Sequence, residues 1–198
     1  MLRHIQSLTL ALLVSNAVPL PSVASAGELP HSEAVAHHGG TLGVLLRFPR
    51  YEGDANEPES ERVERLRELA SAIDAATPWS AERALLVTVA KHESQLARHV
   101  QLDEAACRDG ESHQCDSGAA WSPFQLHGTD RQGGGRRAAR IALSRLRGAA
   151  ERCGGDTLET RYHGALALYA TGSKCTWSGT AERIATWKRV LARIGVKP

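Results

Sequence analysis

From about residue 60 the apolar positions fall into helical steps. Val63, Leu66, Leu69, Ala70 and Ile73 recur every three or four residues, which lays one buried stripe along a helix. Thr77-Pro78-Trp79-Ser80 interrupts that pattern, and Ser80 is placed to cap a second helix over about 81–98. The second helix carries its stripe on Leu86, Val89, Ala90, Leu96 and Ala97. Residues 101–129 mix Asp, Gly, Cys, Ser and Pro without a sustained period, which predicts a long loop region. A third helix is expected over about 136–152 on Ile141, Leu143 and Leu146, and a fourth over about 157–170. Ile184, Trp187, Val190, Leu191 and Ile194 predict a fifth over about 180–194. There is no internal repeat and no run that alternates as a half-buried strand does. The fold class is mainly α.

The chain before residue 58 lacks that periodicity. Residues 1–26 read as a secretory signal: Arg3 and His4, a mostly apolar stretch from Leu8 to Leu20, then the small-residue pattern Ala24-Ser25-Ala26. No cysteine stands near the cleavage point, so no lipid anchor is expected. Residues 27–57 scatter Gly27, Pro30, Gly39, Gly40, Pro49 and Gly53 among charges and read as a flexible linker. His31, His37 and His38 fall there and fit a histidine-bearing tail better than a metal site. Residues 58–198 are left as a single domain.

Composition narrows the function classes. At 42% hydrophobic and 23% charged residues the chain has ordinary globular usage, not that of a disordered one. No apolar run reaches the roughly 18 residues of a spanning helix, so stable membrane insertion is not expected. A net charge of +2 makes no electrostatic case for nucleic acid. The charge is uneven, however: residues 27–76 sum to −5 and residues 77–198 to +6. The basic part suits an anionic polymer, and it equally suits solvated arginine-rich helix faces.

The leader predicts export to the periplasm or the exterior, where cysteines oxidise. Cys107, Cys115, Cys153 and Cys175 are then expected as two disulfides. Of three possible pairings, Cys107–Cys115 and Cys153–Cys175 are favoured because each closes a local loop. No pair has the close spacing of a structural zinc site.

The main chemical clue lies on the second helix. Glu93 falls four residues after Val89 and three before Leu96, on the apolar face. Glutamate is seldom fully buried without a partner, and partial burial is expected to raise its pKa towards what a general acid needs. The competing reading is a rim glutamate that reaches solvent or pairs with Arg98. His92-Glu93 opens like the zinc-protease motif H-E-x-x-H, but the second histidine is missing and His99 lies about 10.5 Å further along the helix. No G-x-S-x-G elbow is present, and Gly133-Gly134-Gly135 is followed by arginines, not by G-K-[ST].

Three segments in order carry a family resemblance. ALLVTVAKHES (84–94), GAAWSPFQLH (118–127) and ALALYATG (165–172) together resemble the lysozyme-like lytic transglycosylases, the soluble-lytic-transglycosylase type of catalytic domain. Ser122 stands where a glycine is usual, Phe124 where methionine is common, and Ala170 where asparagine is usual. The resemblance implies a lysozyme-like domain with Glu93 as acid and base, cleaving the MurNAc–GlcNAc β-1,4 bond of peptidoglycan with 1,6-anhydro ring formation. It implies Ser94, Gln125 and Tyr169 as substrate-binding residues, peptidoglycan glycan strands as the partner, a monomer, and neither metal nor cofactor.

Two alternatives stay open. A hydrolytic muramidase needs a second carboxylate, for which Asp103, Asp109 and Asp116 in the following loop are candidates. A non-catalytic wall-binding or secretion-accessory protein would keep the fold without turnover. Trp121 and Trp177 offer flat faces for sugar rings, although core packing is the simpler use of both.

Overall fold

The computed structural model describes residues 40–102, 120–127 and 134–195. These form α1 (Gly40–Leu46), a 3-10 turn (Glu52–Asp54), α2 (Glu59–Ala76), α3 (Ser80–Ser94), α4 (Arg98–Gln101), β1 (Ala120–Trp121), β2 (Leu126–His127), α5 (Gly134–Cys153), α6 (Leu158–Thr171) and α7 (Thr180–Ile194). The described protein is mainly helical. The signal segment, residues 27–39, Cys107, Cys115, Asp103, Asp109 and Asp116 lie outside the described residues. No described helix is long and apolar enough to cross a membrane.

α3 runs through the core. Every residue from Ala84 to Ala90 is buried, so the helix is covered all round and not on one stripe only. It packs against α7 on one side and touches α2, α5 and α6 on others. α2 buries the expected Leu66, Leu69, Ala70 and Ile73, while Val63 is half-buried against the core.

Two boundaries of α3 differ from expectation. Ser80 does not cap the helix: it is the first helical residue, and its hydroxyl accepts from Arg83 Nη2 at 3.3 Å. Thr77 serves the helix start instead, accepting from the Trp79 backbone N–H at 3.2 Å and donating to Glu82. The helix stops at Ser94, short of residue 98, because Gln95 and Leu96 both turn left-handed, at φ 53° and 59°. α4 then restarts with the Arg98 N–H donating to Asp54 Oδ2 at 2.6 Å.

Residues 40–57, which the sequence assigns to the linker, belong to the packed body. Val44, Leu45 and Leu46 are at most 3% exposed and sit against α2, α3 and α7. A helix of seven residues is too short to display a period, which is why pattern alone leaves it unseen. Further along, Glu57 accepts two hydrogen bonds from Arg65, at 2.7 and 2.8 Å. The same guanidinium donates to the Leu96 carbonyl at 2.9 Å and to Gln101 Oε1 at 2.8 Å. One buried arginine thus ties the segment before α2 to the turn that ends α3.

The region read as loop contains an antiparallel hairpin, with Ala120 opposite His127 and Trp121 opposite Leu126. Strands of two residues cannot show alternation. Phe124 and Leu126 anchor the hairpin, both fully buried. The end of α5 is joined to the loop after α6 through Cys153–Cys175, whose Cα atoms are 5.4 Å apart. Gly164 lets the helices approach: a Cβ there would stand 2.5 Å from Cys153 Cβ. Thr157 caps α6, exchanging hydrogen bonds with Thr160.

Candidate active site

Glu93 lies one residue before the end of α3, where the buried helix emerges into a cleft of about 700 Å³. Its side chain is 19% exposed. The same cleft is lined by Gln125 from the hairpin turn and by Tyr169 and Ala170 from α6. His127, Arg145 and Arg152 complete its polar rim. Glu93, Gln125 and Tyr169, distant along the chain, are therefore neighbours in one depression.

Ser94 is not part of that lining. Its hydroxyl donates to the Ala90 carbonyl at 2.7 Å and accepts from the Leu96 N–H at 3.2 Å. A serine on the last helical turn satisfies its own helix end, and here it braces the left-handed turn behind Glu93. Gln125 itself sits at φ 48°, with Nε2 donating to the Ser122 carbonyl at 3.3 Å. Ser122 adopts φ 66°, a region that favours glycine. Among the described residues, Gln95, Leu96, Ser122 and Gln125 are the non-glycine positions with positive φ. They fall in two turns, one directly after Glu93 and one carrying Gln125, and held backbone strain of this kind collects at functional sites.

Tyr169 donates its hydroxyl to the Phe124 carbonyl at 2.7 Å, which fastens the hairpin turn to α6. Burial, followed by the nearby Glu93 charge, pushes the Tyr169 phenol well above its ordinary pKa, so it stays a neutral donor.

The partner of Glu93 is Arg183, not Arg98. Arg183 Nη1 donates to Glu93 Oε1 in an ion pair, and the arginine side chain is 10% exposed. Its guanidinium also stands 5.5 Å from the centre of the Trp177 ring. A Cβ on Gly179 would run into that ring, within 2.3–2.6 Å, so the glycine lets Trp177 fold back beneath the arginine. Arg183 was legible in principle: it falls four residues before Trp187 and seven before Val190, on the apolar face of α7. Arg145 and Arg152, on the exposed side of α5, gave no such signal.

The histidines go to separate places. His92 bonds Thr186 through Nε2 at 3.1 Å, and burial, with Arg183 second, pushes its pKa down to about 4. His99 packs on Tyr51 with ring centres 5.7 Å apart. Among the described residues no three His, Cys, Asp or Glu side chains are grouped to hold a metal ion. Trp121 is buried in the core, whereas Trp177 is 42% exposed.

Comparison with protein-family models, with curated proteins and with solved structures gives no match.

Proposed function

We propose that the protein is an exported peptidoglycan lytic transglycosylase with a lysozyme-like catalytic domain. The observation that carries this reading is the cleft shared by Glu93, Gln125 and Tyr169, the key positions of three segments that resemble that family. Glu93 protonates the glycosidic oxygen between N-acetylmuramic acid and N-acetylglucosamine. For that step Glu93 must enter protonated, released from the pair it forms with Arg183 at rest, and the carboxylate left by the transfer can form that pair again. It then takes the proton of the muramic acid C6 hydroxyl, whose oxygen closes the 1,6-anhydro ring. Because the substrate supplies its own nucleophile, one carboxylate is enough.

The test is the mass of muropeptides released from purified sacculi. The expected products carry 1,6-anhydromuramic acid, about 18 Da lighter than those of a hydrolytic, two-carboxylate route. Glu93→Gln should keep the fold and glycan binding but lose nearly all turnover, since an amide can neither give nor take that proton. Full-mass reducing ends would assign a muramidase instead.

A second reading rests on the Arg183 pair: Glu93 as a structural anion joining α3 to α7 in a wall-binding protein. Glycan binding without any product from the wild type would establish it.

A further inference from the structure

Arg183 stands between a carboxylate and an aromatic ring, and the proposed reaction takes the carboxylate away. At rest its guanidinium pairs with Glu93 and lies 5.5 Å from the centre of the Trp177 ring. Among the described residues Glu93 is the one carboxylate that pairs with it. His92 and Tyr169 also lie close enough to feel its charge, and neither supplies an anion. Once Glu93 carries the proton it is to give up, Arg183 is a cation with no anion beside it. Only 10% of the arginine side chain is exposed, so the loss is costly unless another group compensates it. The negative face of an indole is such a group, and it takes up no proton of its own.

The loop between α6 and α7 fixes that indole from both sides. Cys175, two residues before Trp177, is bonded to Cys153 at the end of α5. Gly179, two residues after it, leaves the space that the ring fills, since a Cβ there would stand 2.3–2.6 Å from three ring atoms. The ring nevertheless stays 42% exposed, so its setting serves position more than burial. We propose that Trp177 is a positioning residue: its ring keeps the Arg183 guanidinium beside Glu93 while the acid is neutral. As the proton leaves, the charge growing on the carboxylate then meets a cation already in place, and no reorganisation is needed. This inference rests on the transglycosylase reading and adds a residue to its cycle.

The experiment measures kcat, KM and binding on soluble uncrosslinked glycan strands for the wild type, Trp177→Leu, Trp177→Phe and Gly179→Ala. The fold of each is checked by circular dichroism. Trp177→Leu removes the aromatic face and should lower kcat about fivefold, the loss of one cation–π contact, with KM and binding unchanged. Trp177→Phe restores a face and should recover part of that loss. Gly179→Ala leaves Trp177 and Arg183 in the chain but drives the indole aside, and it should be as slow as Trp177→Leu. If Trp177→Leu does not fold, the Gly179→Ala result decides. Unchanged kcat in Trp177→Leu and Gly179→Ala, or a phenylalanine variant as slow as the leucine one, overturns this inference and leaves the transglycosylase reading standing. So does a raised KM with weakened binding at unchanged kcat, which would make Trp177 a platform for a sugar ring. No product from the wild type overturns both.

Discussion

Tyr169 and His92 show how single side chains near Glu93 are committed to neutral states. The Tyr169 hydroxyl is spent on the Phe124 carbonyl. Tyr169→Phe keeps the ring and leaves that carbonyl without its donor, at an expected cost of about 1 kcal/mol. Urea denaturation of the two proteins measures it, and coincident curves would deny the bond a role. His92 behaves as a buried neutral base, pushed down to about 4 by burial, then by Arg183, Lys91 and Arg189, against Glu182. An unfolded histidine binds its proton near pH 6.5, so below that pH the unfolded state holds more protons than the folded one. Stability from His92 is complete above about pH 6.5, falls as the pH drops, and is gone below about 4. His92→Gln should flatten this part of the stability–pH curve relative to wild type. A wild-type curve no steeper than the variant's would contradict the assignment. At this scale the pattern of the sequence was informative for Glu93, a carboxylate on an apolar face. Ser94, which the resemblance implies as a substrate-binding residue, has its hydroxyl engaged by its own helix end.

The elements around the cleft are set by how closely their backbones approach. α5 supplies Arg145 and Arg152, α6 supplies Tyr169 and Ala170, and the two meet at Cys153 and Gly164. The atom that an added Cβ would strike is Cys153 Cβ, attached directly to backbone, so no flexible side chain can swing aside. Gly164→Ala should therefore push the helices apart at a cost of about 1–3 kcal/mol. A lowered urea midpoint with an unchanged slope would register it, whereas an unchanged midpoint would mean that the contact relaxes freely. The long helices were readable because each repeats its apolar spacing over several turns. α1 and the hairpin were not, since seven residues and two-residue strands give periodicity nothing to act on. The early stop of α3 was hidden too. Gln95 and Leu96 are not residues that announce a left-handed turn, and the turn is held by Ser94 and by Arg65 reaching across from α2.

Over the whole molecule, the disulfide closes a 22-residue separation that contains all of α6. The chain-entropy account gives about 3 kcal/mol for a loop of this size. A Cys153→Ala, Cys175→Ala variant should lose roughly that much in urea unfolding while keeping its helical content. An unchanged midpoint would show that packing alone holds α6 and the loop after it in place. This link was foreseeable because it is local in the chain. The latch on Arg65 and the Glu93–Arg183 pair were not, since their partners lie 31 and 90 residues apart.

By itself the sequence determined the mainly helical class, the approximate spans of the long helices apart from the end of α3, the local disulfide between Cys153 and Cys175, and the place of Glu93 on an apolar helix face. Each follows from spacing along a helix or from loop closure, and both are local properties of the chain. Only the tertiary structure decided that residues 40–57 belong to the body and that Glu93 meets Arg183. It alone brought Gln125 and Tyr169 to the same cleft and turned Arg145 and Arg152 into that cleft's wall. Those outcomes depend on how each helix is rotated and crossed against its neighbours. That rotation is fixed by the fit of all the buried side chains at once, which no single stretch of sequence contains.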